Sequence, residues 1–438
     1  MAKSNWHFVK IDEIKSNDQS SIAIGPFGSR MTADLYRPSG VPVIRGTNIS
    51  SAKSFEGDFV YISEETANDL KSCLVYPDDL VFPHRGAIGL VGIVPRDGYC
   101  KYILSSSLMK LSCNKKIADP YFLFYFFRSP IGKYELLKNS STVGTPGIAT
   151  PLTSLKNIEL HIPPLPTQKA IAHILGTLDD KIELNRQMNE TLESIAGAIF
   201  TSWFIDFDPV RAKADGKQPE GMDAATAALF PSEFETVEGQ EIPKGWQVKS
   251  LDKMFKIVMG QSPPSSTYNE INEGVPFFQG KTDFGFRYPT VRVFCTAPTR
   301  FANPGDTLLS LRAPVGDVNI SLVHSSIGRG IAALRHESSS RSFTYYALKS
   351  LYHEFIQYDS NGTVFGCLTK DSFKSLSFIQ PPNELINLFE KTVSSLDSKI
   401  ESNENSILLL SSIRDTLLPK LLSGELPITN PEQFTGVS

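Results

Sequence analysis

The stretch Leu178-Asp179-Asp180-Lys181-Ile182-Glu183-Leu184-Asn185 returns 218 residues later as Leu396-Asp397-Ser398-Lys399-Ile400-Glu401-Ser402-Asn403. The same offset, with no insertion, relates Pro163-Pro164 to Pro381-Pro382, Leu192 to Leu410 and Ile195 to Ile413. Steps of four and three from Ile171 give Leu175, Leu178, Ile182, Asn185, Asn189, Leu192, Ala196, Ile199 and Trp203, a heptad seam. The second copy runs Phe389, Val393, Leu396, Ile400, Asn403, Ile407, Leu410, Arg414, Leu417 and Leu421. A duplicated long helix is therefore expected, its two copies packed antiparallel. Asn185 and Asn403 would fix the register of the pair, because slippage leaves a buried amide without a partner. The bland alternative is two amphipathic helices that close two separate cores.

Around these helices the charge alternates. The net charge of −4 hides four blocks: residues 1–162 carry 18 Lys+Arg against 15 Asp+Glu, and 245–380 carry 14 against 10. Residues 163–244 carry 7 against 14, and 381–438 carry 4 against 8. Basic globular parts joined by acidic helical ones are compatible with two modules that face nucleic acid and rods that face something else. Five well-separated cysteines with no C-x-x-C pair suggest free thiols in a reducing compartment. The beginning of the sequence has no apolar signal core, and the densest apolar run, Tyr121 to Phe127, is too short for a bilayer. A cytoplasmic location is the expectation.

The two globular parts repeat each other piece by piece. Trp6 is answered by Trp246, Gly40-Val41-Pro42-Val43-Ile44-Arg45-Gly46 by Gly274-Val275-Pro276-Phe277-Phe278-Gln279-Gly280, and Tyr76-Pro77-Asp78-Asp79-Leu80 by Asn303-Pro304-Gly305-Asp306-Thr307-Leu308. Arg85-Gly86-Ala87-Ile88-Gly89 is answered by Arg312-Ala313-Pro314-Val315-Gly316, and Val143-Gly144-Thr145 by Asn361-Gly362-Thr363. Strand-like runs ending in turns predict a mixed α/β (α+β) domain, with an aromatic helix from Tyr121 to about Leu137 and a last strand over Leu155–Leu160. The expected organisation is domain 1 over 1–162, a spacer helix over 163–204, a connector over 205–244, domain 2 over 245–380, a second spacer helix over 381–424 and a tail over 425–438. Pro419 is expected to kink the second helix and Gly424 to stop it. Similar scaffolds with dissimilar loops suggest one kind of partner read in two ways.

No catalytic constellation assembles from the residues. There is no H-E-x-x-H, no G-x-S-x-G and no G-x-x-x-x-G-K-[ST]. Ser262-Pro263-Pro264-Ser265 lacks the aromatic of a base-methylating motif. Asp78-Asp79 reads as a turn and Asp179-Asp180 as a solvated helix face rather than as metal ligands. His84 has Leu311 as its counterpart, which argues for a loop position or one facing nucleic acid rather than for a catalytic base.

Pro163-Pro164-Leu165-Pro166-Thr167-Gln168, the Leu178–Asn185 segment, Trp203-Phe204-Ile205-Asp206-Phe207-Asp208-Pro209-Val210-Arg211-Ala212-Lys213 and the closing Leu421-Leu422-Ser423-Gly424-Glu425-Leu426 together make the chain resemble the specificity subunit of a type I restriction-modification system. The second copy departs from the pattern at Ile386, which stands where the first has Gln168. The resemblance implies two target-recognition domains, each reading half of a bipartite double-stranded DNA site, held apart by helices that bind two modification subunits. Those subunits would carry S-adenosylmethionine and methylate adenine, restriction subunits would join them for cleavage, and this chain would bind no cofactor or metal and catalyse nothing. Sequence is read at base edges while phosphate contacts set position. The candidate DNA-binding residues are Arg30, Arg45, Arg85, Ser106, Thr142 and Thr145 in the first half, and Gln261, Gln279, Lys281, Arg312, Arg329 and Thr363 in the second. The competing readings are a non-catalytic protein-interaction scaffold with two duplicated binding domains, and a diverged enzyme with its site between the halves.

Overall fold

Two helices, Leu165–Phe204 and Asn383–Ser423, are the longest elements of the computed structural model, which describes residues 5–27, 30–50, 53–141, 144–312, 314–358 and 366–434. Residues related by the 218-residue offset share the same environment: Asp179 and Asp397, Ile182 and Ile400, and Asn185 and Asn403 are all buried. Among the described residues the Asn185 amide nitrogen has no hydrogen-bond partner. Pro419 lies within the second helix, and Gly424, with φ of 70°, follows its last residue.

The chain divides into two compact units, Met1–Gln187 with Asn403–Ser438, and Met188–Ser402. In the first, one sheet has the order Ile22–Ile24, Leu108–Leu111, Leu80–Pro83, Gly92–Ile93. A second has the order Val60–Ile62, Val41–Ile44, Tyr102–Leu104, Leu74–Val75. Val43 and Ile44 pair in parallel with Ile103 and Leu104, which is why Val41-Pro42-Val43-Ile44 is apolar throughout and buried at every position. The second unit repeats both sheets, with one extra strand, Tyr268–Asn269, at the edge of the second. Phe255–Met259, Ile331–His336, Thr307–Leu311 and Val315–Ile320 form one sheet, and Phe277 and Phe278 of the other pair in parallel with Ser326 and Ile327. A two-stranded ribbon at the base recurs too, His7–Lys10 with Glu159–Ile162 and Gln247–Ser250 with Ser377–Gln380.

Within each unit the helix segments run antiparallel. In the first, Ile171 and Leu175 share a core with Leu421 and Leu418, and Asp179 meets Arg414. In the second, Phe200, Trp203 and Phe204 all pack on Phe389, while Glu193 and Asp397 meet on one arginine.

Local differences from the sequence reading have physical causes. The aromatic helix is two helices, Pro120–Arg128 and Pro130–Leu137, because Pro130 cannot continue the first and Ser129 caps the second by accepting from the Gly132 amide. Residues expected to form a strand from Leu155 belong instead to a short helix, Pro151–Lys156, and the strand begins at Glu159. The stretch expected to be a separate connector buries Phe207, Val210, Phe230 and Ile242 in the core of the second unit.

The expectation of a solvated face at Asp179-Asp180 is corrected. Only Asp180 is exposed, and it pairs with Lys53. Asp179 is buried and accepts from Tyr125 Oη at 2.8 Å, Arg128 Nη1 at 2.9 Å and Arg414 Nη1 at 2.8 Å. Its twin Asp397 accepts from Arg287, a side chain with 0% exposure, and from Ser342 Oγ at 2.5 Å. Arg287 also donates to Glu193 at 2.8 and 3.1 Å and to Tyr346 Oη at 2.5 Å, and it sits 4.7 Å from the centre of the Tyr345 ring. Burial pushes the Glu193 carboxyl up, but Arg287 and Lys349 outweigh it and hold the group below the ordinary carboxylate range. A buried charge survives only when paired and hydrogen-bonded. In both units, then, an acid at the same helix position is tied to arginine.

Candidate nucleic-acid interface

Four backbone segments meet at one edge of each unit, joined by the same hydrogen bonds. In the first unit Ser105 N donates to Ile44 O, Gly25 N to Leu108 O, His84 N to Ser107 O and Ile148 N to His84 O. In the second, Gly328 N donates to Phe278 O, Gly260 N to Ile331 O, Leu311 N to Gly330 O and Leu368 N to Leu311 O. This makes Gly25 equivalent to Gly260, Arg45 to Gln279, Arg85 to Arg312 and Ser106 to Arg329. Glycine is required at the first of these positions in both copies. A Cβ on Gly25 would stand 1.9 Å from Ser105 O, and one on Gly260 would stand 2.1 Å from Gly328 O. The main chains approach too closely for any side chain, so the two loops are pinned to the scaffold at the same point.

What projects from this shared frame differs. In the first unit Arg85, Ser106 and Thr145 are exposed on adjacent loops, with Arg85 bridged to Gly147 and Gly86 N bonded to Pro146 O at 2.8 Å. His84 lies beneath them, and Nε2 donates to Ser106 O at 3.1 Å. Burial holds its pKa below the ordinary value, so the ring is neutral at physiological pH and supports the loop rather than carrying charge. In the second unit Gln261, Gln279 and Arg329 are exposed around Arg312, whose Nη2 donates to Arg329 O at 2.9 Å. Arg329 N is bonded in turn to Ser262 Oγ at 3.2 Å, and Gln261 O accepts from Thr299 Oγ1 at 3.0 Å.

The remaining sequence candidates fall elsewhere or are already engaged. Arg45 lies on the frame, but its Nη2 donates to Asp58 O at 2.7 Å, so much of its fork holds the following loop. Lys281 is paired with Asp317 at 2.6 Å. Arg30 is exposed, close in the chain to Phe27. Thr142 and Thr363 lie outside the described residues. Phe27, which the sequence reading passed over, is among the most exposed large apolar side chains, at 61%. The only signal for it was its place between two glycines in a loop.

Chemically, Arg at such an edge can make a bidentate contact to guanine O6 and N7, Gln to adenine N6 and N7, and hydroxyls can bond phosphates or bases. Among the described residues no group of three or more His, Cys, Asp or Glu could hold a metal ion, and no helix is long and apolar enough to cross a membrane. The five cysteines are free thiols.

Residues 24–194 and 243–411 match the type I restriction modification DNA specificity domain, Methylase_S. Over 407 residues the chain is 30% identical to the putative type I restriction enzyme MjaX specificity subunit of Methanocaldococcus jannaschii, covering 89% of this chain and 88% of that protein. It is 31% identical over 383 residues to the type I restriction enzyme HindI specificity subunit of Haemophilus influenzae, covering 74% and 81%. In fold it is similar to the crystal structure of a type I restriction-modification system S subunit from M. genitalium, with a TM-score of 0.56 at 17% identity over 95% of this chain and 96% of that one.

Proposed function

Because the chain belongs to the type I restriction modification DNA specificity family, we propose that it reads a bipartite double-stranded DNA site, one half through each recognition edge, and recruits the subunits that act there. Its own part is specificity and not chemistry. The observation that supports this reading most is one backbone frame used twice, with an arginine common to both copies and different side chains around it. In the first unit Arg85, Ser106 and Thr145 face the DNA. In the second Gln261, Gln279, Arg312 and Arg329 do so. Arg30 adds a phosphate contact, as does Lys281 once released from Asp317.

The recruited partners are two modification subunits that carry S-adenosylmethionine, with restriction subunits joining them, in the cytoplasm. Support for two equivalent docking places comes from Ile195 and Ile413, twins under the 218-residue offset, which are 45% and 39% exposed on their helices. The same apolar side chain is thus left open to a partner at the same register of both helices.

The test is the affinity of the assembled complex for duplexes carrying both half-sites, one, or neither, across a salt titration. The reading expects a steep loss of affinity with salt and a large preference for the intact site. Binding that ignores sequence and salt would return the chain to the scaffold reading.

A further inference from the structure

Phe27 is set outward by construction. Gly25 is locked against Ser105, Pro26 is buried, and the next side chain, Phe27, is left 61% exposed with its ring centre 6.5 Å from that of His84. Its equivalent in the second unit is Ser262, whose hydroxyl accepts from the Arg329 amide and so closes the loop on itself. The frame therefore accepts a small polar residue here, and folding gives no reason for an exposed aromatic ring. The His84 ring that Phe27 faces precedes the exposed Arg85 in the chain and holds the carbonyl of Ser106.

A ring on the same edge as an arginine aimed at bases enters the same groove. In the major groove the one apolar group a base presents is the C5 methyl of thymine. We infer that Phe27 packs on a thymine methyl in the half-site read by the first unit, a contact that Ser262 cannot supply to the other half. This deepens the DNA-reading assignment of that surface and rests on it. The half-site of the first unit thus contains a thymine, on either strand, next to the base pair read by Arg85.

The test uses the assembled complex and the duplex carrying its own methylated motif. Each thymine of the first half-site is replaced in turn by deoxyuridine, which removes only the methyl. One replacement is expected to weaken binding by the wild-type complex about four-fold, the effect of one buried methyl group. The Phe27→Ala complex should bind the parent duplex more weakly and be indifferent to that replacement, while Phe27→Leu keeps the sensitivity. Unchanged affinity for a duplex with only the second half-site serves as the folding control. The inference is overturned if every deoxyuridine duplex binds like the parent, if Phe27→Ala stays sensitive, or if the half-site holds no thymine. It is also overturned if 2-aminopurine reports unstacking with no methyl dependence, which would make Phe27 a wedge between bases. Arg85→Ala separates the two levels. If it weakens first-half binding while the methyl has no effect, only the Phe27 contact falls. If neither variant changes first-half binding, the reading of the surface itself falls.

Discussion

Asp179 and Asp397 occupy the same register of the duplicated helix, and both are buried against arginine, yet the arginines come from different places. Asp179 is shared by Arg128 of an aromatic helix and Arg414 of the second long helix, with Tyr125 completing it. Asp397 depends on Arg287, which arrives from a loop and is divided between Asp397 and Glu193. One lock has an acid at its centre and two bases around it, and the other has a base at its centre and two acids around it. What persists between copies is therefore the need for a paired acid at that helix position. Where the partner comes from is free to drift, as are the side chains at the recognition edges.

The largest expected effect follows from this inversion. Arg287→Met leaves buried Asp397 with Ser342 alone and no cation, while Glu193 keeps Lys349 and Tyr345, and should destabilise the second unit by about 3–5 kcal/mol, whereas Arg128→Met leaves Asp179 with Arg414 and Tyr125 and should cost about 1–2 kcal/mol. Chemical unfolding followed by hydrogen exchange in each unit checks both values. Equal losses would mean the two locks are not built differently.

The units should also differ in their response to acid. Cys113 and His336 hold equivalent places at the ends of the strands Leu108–Leu111 and Ile331–His336. Burial raises the Cys113 thiol to about 12, so it is neutral across the whole acid range. Burial lowers His336 from 6.5 to about 4, with Glu337 opposing the shift and Lys249 adding to it. Its Nδ1 accepts from Ser338 N at 3.1 Å, a bond that protonation removes. Because the folded pKa lies below the unfolded one, the unfolded chain binds the proton first. The stability contributed by neutral His336 is complete above about pH 6.5 and declines toward pH 4, by up to about 3 kcal/mol. The wild-type chain should lose that much more than His336→Gln over this interval, with the excess confined to the second unit; identical profiles would contradict the assignment.

At the recognition edges, Arg85→Ala and Arg312→Ala should each cost about 1–3 kcal/mol of binding, and each only toward its own half-site. Competition with duplexes mutated in one half measures this, and a uniform loss from either variant would reduce the arginines to phosphate contacts. Ser262→Ala is the mildest change. Losing the hydroxyl that steadies Arg329 should weaken second-half binding by about 0.5–1 kcal/mol and leave the first half untouched.

The duplicated helix was legible because a coiled-coil seam tolerates no insertion, so its two copies stay aligned residue for residue. The apolar run Val41–Ile44 was legible for a related reason, since a strand buried on both faces allows few alternatives. Arg85 and Arg312 could be paired in the sequence from their place after the same strand, and the backbone frame gives them equivalent positions. Arg287 was not legible, because Phe286-Arg287-Tyr288 has no periodicity and its partners are distant in the chain. Asp179 was misjudged because an acid on a helix is usually solvated, and the arginines that bury it belong to other elements. Phe27 and Ser262 could not be paired by sequence. Their equivalence rests on the close approaches of Gly25 and Gly260 to neighbouring carbonyls, which only the fold brings about.

The central claim, one frame reading two different half-sites, is tested most directly by single-molecule methylome sequencing of cells with and without this chain beside its modification subunit. The expected result is a single split N6-methyladenine motif that disappears with the chain and whose two halves differ in sequence. A motif with identical halves, or a methylome unchanged while the modification subunit is active, would contradict it.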